Sequence, residues 1–308
     1  MTTPGPGGTV PRVSAIVVSY NTRDDLLRCL EALQASAGPA LETIVVDNGS
    51  TDGSLDTVRA RFPDVRAIAN AANLGFSRAN NLGLRAARGE FVLVVNSDCE
   101  VRPGAVAALC AILEARPQVA IVGPRTVGSD GGPQVSFGPS LTPVAEWRQG
   151  RLVRGVKEGD AAALRRAAAL AAHEQEPEWV SASCFLARRS SLEAVGGFDE
   201  SFFLYEEDVD LCLRVRQAGG RILYTPAAEV VHHLGRSMAR APALARLEYH
   251  RSHLRFYAKH NSLAQRLVLR AWMTGRAAWG WLTAGSGTAG RQRRAEERTI
   301  LTLALFGR

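Results

Sequence analysis

Three runs of aliphatic and β-branched residues constrain this chain more than any other feature. They are VSAIVVSYN from Val13, LETIVVDNGS from Leu41 and EFVLVVNSD from Glu90. Each is nearly continuous and ends in a polar turn. A strand with one wet face alternates apolar and polar residues, so an unbroken run predicts a strand covered on both faces, as in a parallel sheet. TRDDLLRCLEALQAS follows the first run, with Leu26, Leu27, Leu30 and Leu33 at helical spacing and Thr22 or Asp24 as its N-cap. SLDTVRARF and SRANNLGLRAAR also read as helices, and VRAIANAANLG as a short strand and loop. Strand and helix alternate with short connections, which predicts an α/β fold built on an open, mostly parallel, right-handed sheet flanked by helices. Ligands of such sheets bind beyond the carboxyl ends of the strands. Tyr20-Asn21, Asp47-Asn48 and Asn96-Ser97-Asp98 fall at those ends.

The 308 residues suffice for one large α/β domain and an appendage. Residues 1–11 are rich in Gly and Pro and lack an apolar stretch, which predicts a flexible tail and no secretion signal. The catalytic domain is expected over 12–240. Within it, 129–178 changes character: SDGGPQVSFGPSLTP is turn-rich and DAAALRRAAALAAHE is an Ala-rich helix, so this region is expected to be an insertion or mobile flap. WVSASCFLARR restores a strand, and RSSLEAVGGF is a short helix closed by Gly196 and Gly197. Residues 241–308 form a helical, basic C-terminal region. No run of 18 apolar residues occurs, which argues against a membrane-spanning helix. The five Cys (29, 99, 110, 184 and 212) are scattered without a CxxC pair and read as small buried hydrophobes in a reducing, cytoplasmic compartment.

Charge is unevenly distributed. From Arg236 onward there are 14 Lys and Arg against 3 Asp and Glu, whereas the first 235 residues carry 23 against 27. A basic tail on a mildly acidic body implies an anionic partner, a membrane surface or a nucleic acid, unless it is simply a solvated basic helix. Few aromatics are placed for base stacking, which argues against nucleic acid. SLAQRLVLRAWMTGRAAWGWLTA sets Leu263, Leu267 and Trp272 among Arg266, Arg270 and Arg276, with Trp279 and Trp281 following. Trp favours the headgroup region and Arg favours anionic lipid. The apolar runs between arginines are too short to span, so a helix lying in the membrane interface is predicted. The alternative is a packing helix against the catalytic domain or a homodimer partner.

Four groups of residues carry chemistry. In VVDNGSTD, the carboxylate of Asp47 can accept the imide N–H of a base or the hydroxyls of a ribose, or can merely cap its turn. In VVNSDCE, Asp98 ends a buried strand, a position suited to the Mg²⁺ or Mn²⁺ that neutralises a diphosphate. In GFDESFFLYEEDVDLCLRVRQAGG, the twelve positions 199–210 hold Asp199, Glu200, Glu206, Glu207, Asp208 and Asp210, with no base before Arg214. Clustered carboxylates raise one another's pKa, as a general base requires, although acids also favour a helix N-terminus. In VVHHLGRS, His232 and His233 follow a strand and can ligate metal, position phosphate or sit in the core.

In this order, VSYN, VVDNGSTDGS, NLGFSRANNLGLRAARGEFVLVVNSD, GGFDESFFLYEEDVDLCLR and HHLGRS resemble the inverting family 2 glycosyltransferases of GT-A fold. The likeness is to their bacterial rhamnosyltransferase-like branch, which builds cell-surface polysaccharide, and it spans roughly residues 13 to 260. The resemblance implies that Asp47 contacts the base or ribose of a nucleotide-sugar donor, with Tyr20, Asn21 and Asn48 nearby. It implies that Asn73, Gly75 and Asn80 wrap the nucleotide. Asp98 would be the acid of a metal-binding DxD motif whose first position is here Asn96. Asp208 would be the catalytic base, with Glu207 its acidic companion. In HxxGxS the spacing from Gly235 and Ser237 picks His232, not His233, for the metal or diphosphate.

The implied enzyme is a metal-dependent, inverting glycosyltransferase of hexosyltransferase type. It would move a sugar, first rhamnose from dTDP-rhamnose, to a hydroxyl of a saccharide or polyprenyl-linked saccharide in cell-wall polysaccharide biosynthesis. It would act peripherally on the inner face of the plasma membrane. A UDP-galactofuranose or UDP-N-acetylhexosamine transferase is the alternative donor reading. A nucleotidylyltransferase of the same fold would need a Gly-rich, basic first turn, which VSYNTRDD is not. An inactive nucleotide-sugar-binding or membrane-scaffold protein would lose Asp47, Asp98, Glu207 and Asp208, all of which are present.

Overall fold

The computed structural model describes residues 10–36, 40–233 and 242–307. Most of the 1–11 tail, and Gly235 and Ser237 of the HxxGxS motif, lie outside the described residues. The chain folds around an eight-stranded sheet of order β3-β2-β1-β4-β9-β6-β10-β5. The strands are β1 (Val13–Ser19), β2 (Leu41–Asp47), β3 (Arg66–Ala69), β4 (Phe91–Asn96), β5 (Cys99–Val101), β6 (Val119–Val127), β9 (Cys184–Arg188) and β10 (Arg221–His232). β3, β2, β1 and β4 run parallel, as the continuous apolar runs predict. β9 enters antiparallel between β4 and β6, and β5 closes the edge antiparallel to β10. The fold is mixed α/β with a mostly parallel sheet and helices on both faces, the GT-A architecture.

Register places the functional ends together. Ser19 pairs with Asp47 across β1 and β2, and Val18 pairs with Asn96 across β1 and β4. Successive side chains of a strand point to opposite faces, so both faces of these strands need cover. Helices α1 (Arg23–Ser36) and α4 (Ala105–Ala115) bring Leu26, Leu30, Leu33, Leu109 and Leu113 onto the face bearing Ala15, Val17, Val45 and Leu93. Helices α3 (Phe76–Ala86) and α8 (Glu207–Gln217) bring Ala79, Leu211, Cys212 and Val215 onto the face bearing Ile16, Ile44 and Val94. All five Cys are free thiols and buried.

Region 129–178 holds a short β7–β8 pair (Phe137–Gly138 with Trp179–Val180) and two helices, α5 (Pro143–Lys157) and α6 (Ala161–Ala171). The Ala-rich segment is α6, as expected, and it buries Ala167 and Ala171. α5 has no counterpart in the sequence reading. It buries no residue, so it carries no apolar stripe to betray it. Beyond residue 241 come α9 (Pro242–His260), α10 (Leu263–Leu282) and α11 (Thr288–Phe306). Among the described residues no helix is long and apolar enough to cross a membrane.

Close approach of α3 to the sheet depends on Gly83, where a Cβ would lie 2.4 Å from Ile16 Cγ2. Ile16 is itself buried between strands and helix, so neither side can yield cheaply. Gly83→Ala is expected to cost about 1–3 kcal/mol of stability through overpacking. A denaturant midpoint unchanged from that of the parent would show that α3 can move away from β1.

Candidate active site

The base of the site is the polar edge formed by the ends of β1, β2 and β4. Asp47 is buried; its Oδ2 accepts the Ser50 amide at 3.0 Å, while Oδ1 has no hydrogen-bond partner in the protein. An orphaned buried carboxylate oxygen is costly unless a ligand supplies a donor. Tyr20, at the end of β1, is exposed. Asn21 has a left-handed backbone (φ 53°), and its Oδ1 accepts the Thr51 amide at 2.8 Å, tying the β1 turn to the β2 turn. Asn48 gives both amide hydrogens to the following loop, to Asn73 Oδ1 at 3.2 Å and Gly75 O at 3.1 Å, and accepts from Asn70 at 2.9 Å. Asn73 Oδ1 also receives the Gly75 amide at 2.9 Å. Gly75 is at φ 84°, and a Cβ there would meet Phe203 O at 2.6 Å. Asn80 on α3 donates to Phe76 O, and its buried Oδ1 lacks a partner. These residues form one loop network beside Asp47.

Asp98 follows β4. Its Oδ1 lies 3.4 Å from His232 Nε2, at the end of β10. Burial raises the Asp98 pKa, but the hydrogen bond and charge of His232 outweigh it and hold the carboxyl below its usual range. His233 turns away and binds Glu100 Oε1 at 2.7 Å. The His232 carbonyl receives Gln134 Nε2 at 2.8 Å, which holds the strand end in place. One ligand atom from each of Asp98, Cys99 and His232 falls within 4.8 Å of the others. Cys99 is a poor ligand: its Sγ is directed at Ser183 O, and burial pushes its thiol pKa well up. A carboxylate and an imidazole remain, a donor set that suits Mn²⁺ or Mg²⁺ with positions left for phosphate oxygens. Asn96 stands half-buried at the end of β4, its amide bonded to Ser183 O.

From Ser183 the site continues to the acidic segment. The Ala182 amide donates to Asp208 Oδ2 at 3.0 Å, and Asp208 Oδ1 accepts the Val209 amide at 2.9 Å. Asp208 keeps some exposure, whereas Glu207 is buried and its Oε2 has no partner. Burial pushes the Asp208 carboxyl up to about 6 against the lowering pull of the Ala182 amide, and the Glu206 charge adds to the rise. Burial and the neighbouring Asp208 charge push Glu207 well above the usual range. The loop before α8 is strained: Tyr205 and Glu206 have φ of 69° and 62°. Non-glycine residues rarely adopt this conformation outside sites that exploit it.

The expectation that the acidic run is unpaired is corrected by α9. His253 sits between Glu206, 2.9 Å from Nδ1, and Glu146 of α5, 3.0 Å from Nε2. Tyr257 also donates to Glu146 at 2.6 Å, and Tyr249 stacks on His253. Lys259 binds Asp199 at 2.7 Å and Asp210 at 2.6 Å, and His260 binds Asp210 at 2.7 Å. Arg214 meets the other oxygen of Asp210 at 2.7 Å. Glu200 is paired with Arg78 at 3.4 Å. The α9 partners lie roughly 50 to 60 residues downstream, so spacing within the acidic run could not reveal them. Among the described residues, the Glu207–Asp208 pair is left without a cationic partner, and Asp208 reaches the end of β9 through the Ala182 amide.

Residues 14–171 match the family described as Glycosyl transferase family 2. The N-acetylglucosaminyl-diphospho-decaprenol L-rhamnosyltransferase of Mycobacterium tuberculosis is 34% identical over 83% of this chain and 87% of its own length. The chain belongs to glycosyl transferase family 2. Two solved structures share the fold. The mannosyltransferase of Pyrobaculum calidifontis in complex with GDP-Man and Mn²⁺ matches 97% of this chain and 88% of its own at TM-score 0.58 and 20% identity. Residues 1–349 of TarS from S. aureus match 96% and 92% at TM-score 0.54 and 17% identity. The match to the family stops at residue 171, before the Glu207–Asp208 pair and the α9 strap.

The strap carries a pH signature. Burial pulls the His253 pKa down, but hydrogen bonds and charge from Glu146 and Glu206 overcome it and hold the imidazole up at about 9. In an unfolded chain the value would be near 6.5. A raised folded pKa means that the clamp's full stabilisation is present below about pH 6.5 and is lost as pH rises through about 9. The thermal midpoint of the parent is expected to fall more steeply over that window than that of His253→Gln. Parallel curves for the two proteins would show that His253 is not held protonated.

Proposed function

We propose that the chain transfers a sugar from a nucleotide-diphosphate donor to a hydroxyl of a lipid-linked saccharide, with inversion at the anomeric carbon. Rhamnose from dTDP-rhamnose is the first choice of donor. The mycobacterial relative is named for rhamnosyl transfer to a sugar on decaprenyl diphosphate, and it aligns over most of both chains. The observation that carries the reading is the Asp208 carboxylate. It is tethered to Ala182, one residue from the Ser183 carbonyl that binds the Asn96 amide, and so stands beside the strand ends bearing Asp98 and Asp47.

In this reading the base or ribose of the donor supplies the hydrogen bond that Asp47 Oδ1 lacks. Tyr20 and Asn21 flank the nucleoside, and the loop of Asn48, Asn73, Gly75 and Asn80 shapes its wall. Asp98 and His232 would hold Mn²⁺ or Mg²⁺, with Asn96 alongside. A bound divalent ion would offset the charge of the departing diphosphate. Asp208 accepts the proton of the acceptor hydroxyl as its oxygen bonds to the anomeric carbon. The bond to the diphosphate breaks with its electron pair, so no enzyme nucleophile is required. Burial and the neighbouring Asp208 charge disfavour the ionised form of Glu207. The reaction belongs at the cytoplasmic face of the plasma membrane, where soluble donor meets lipid-borne acceptor, and would serve cell-wall polysaccharide synthesis.

Asp208→Asn is expected to lower turnover by a factor on the order of 10² to 10⁴ and to leave donor binding intact. The parent's kcat/KM is expected to fall as pH drops through about 6, where the base takes up its proton. Near-normal turnover in the variant would remove the base role from Asp208. Chelation with EDTA is expected to abolish transfer, and Mn²⁺ or Mg²⁺ to restore it. His232→Ala is expected to weaken metal-dependent donor binding far more than His233→Ala. Full activity in exhaustively chelated buffer would contradict the metal assignment.

A further inference from the structure

We infer that α10 is a lipid-docking helix whose outward face lies in the headgroup region of an anionic bilayer. This deepens the lipid-linked-acceptor reading, but the docking surface is argued from α10 itself. The helix runs from Leu263 to Leu282 behind a Ser262–Gln265 capping box. Its buried residues are Leu269, Met273, Ala277 and Gly280, one stripe at helical spacing. The stripe is committed to protein. A Cβ on Gly280 would lie 2.5 Å from Glu297 Oε1 of α11, and Leu269, Met273 and Ala277 share one buried cluster with Phe202 and Val209 of the catalytic loop and α8.

The opposite face has a composition that water does not favour. Leu263, Leu267, Val268, Trp272, Trp279 and Leu282 are all exposed, Trp279 at 70% and Leu263 at 67%. At 100° per residue these six occupy about half the helix circumference. The three charges of α10, Arg266, Arg270 and Arg276, fall outside that arc, and the helix has no acid. Arg270 is turned onto α11, donating to Ala304 O at 2.6 Å, and Arg276 lies over the Trp272 ring at 5.3 Å. At the end of α11, Leu305 and Phe306 are exposed as well, next to Ala304 and so at the Arg270 end of α10. An apolar face bordered by Trp and Arg on a helix too polar to span is the pattern of an interfacial helix.

Charge selects the bilayer over a second copy of this chain. From Arg236 onward basic residues outnumber acidic ones 14 to 3. Two such regions brought face to face repel, whereas an anionic surface attracts both the arginines and the helices behind them. The geometry also suits the reaction. The buried stripe of α10 belongs to the same cluster as Val209, the neighbour of Asp208, so the lipid face stands about one helix diameter, some 10–12 Å, behind the layer that packs on the catalytic loop. A saccharide attached to membrane lipid would thus be presented near the base.

The test uses the full chain and needs no substrate. In flotation with phosphatidylcholine vesicles, with and without phosphatidylglycerol, the parent is expected to bind the anionic vesicles at least tenfold more tightly and to lose much of that advantage at high salt. The double variant Trp272→Ser, Trp279→Ser is expected to bind at least tenfold more weakly, with an unchanged thermal midpoint because both side chains are exposed. Quenching of parent tryptophan fluorescence by lipids brominated along the acyl chain gives a readout independent of any variant. Parent protein that stays soluble with anionic vesicles at low salt, or is not quenched, overturns the proposal. So does a parent that light scattering shows to be a dimer and that the double variant converts to monomer, because the face would then belong to a second copy. Because binding is read without turnover, failure here leaves the transferase reading standing, and failure of the Asp208 test leaves this one standing.

Discussion

Everything at the site depends on the parallel pairing of β1 with β2 and β4. Register fixes Ser19 against Asp47 and Val18 against Asn96, so three chain segments deliver their polar turns to one edge. A one-residue shift of any of these strands would exchange the side chains packed against α1 with those packed against α3. The antiparallel entry of β9 then brings Ser183 and Ala182 to the end of β4, and through the Ala182 amide the sheet reaches Asp208. Asp47 and Asp208, more than 150 residues apart in sequence, are thus linked through the sheet and the Ala182 amide.

The second constraint is electrostatic. Six carboxylates within twelve residues would repel strongly at neutral pH if left to themselves. α9 resolves this selectively. Its His253 and Lys259 neutralise Glu206, Asp199 and Asp210, and His260 bonds to Asp210, while among the described residues Glu207 and Asp208 receive only backbone donors or none. The selectivity leaves burial as the largest influence on both carboxyls: it pushes Asp208 up to about 6 and Glu207 well above its usual range. The left-handed Tyr205 and Glu206 are held by the same helix, through the Tyr205–Tyr249 ring contact and the His253 bond. Strain of this kind persists only where surrounding contacts over-determine it.

Much of this was legible in the sequence, and the boundary of legibility has physical causes. The strands β1, β2 and β4 were readable because doubly buried strands are written as unbroken apolar runs. Asp47, Asp98 and Asp208 stand out as candidates because acids at strand ends or in a dense cluster need a reason. The pairing of His232 rather than His233 with Asp98 matches the side expected from the motif spacing, since neighbours on a strand point to opposite faces. α5 was not legible, because a helix that buries nothing has no apolar period. The α9 strap was not legible either, because its ion pairs join residues about 50 positions apart and no local pattern encodes them. Nor could the sequence say that Asn48 spends its amide on the loop from Asn70 to Gly75, which only the folded turn makes possible.

In the proposed reaction one site at the carboxyl ends of β1, β2 and β4 holds the whole donor within reach of Asp208. A crystal structure of the chain with Mn²⁺ and a nucleotide-diphosphate sugar tests it most directly, with the anomalous signal of manganese locating the ion. The nucleoside is expected against Asp47, manganese between Asp98, His232 and the diphosphate, and the sugar facing Asp208. Manganese bound at the α9 carboxylates, or a nucleotide seated away from Asp47, would contradict it.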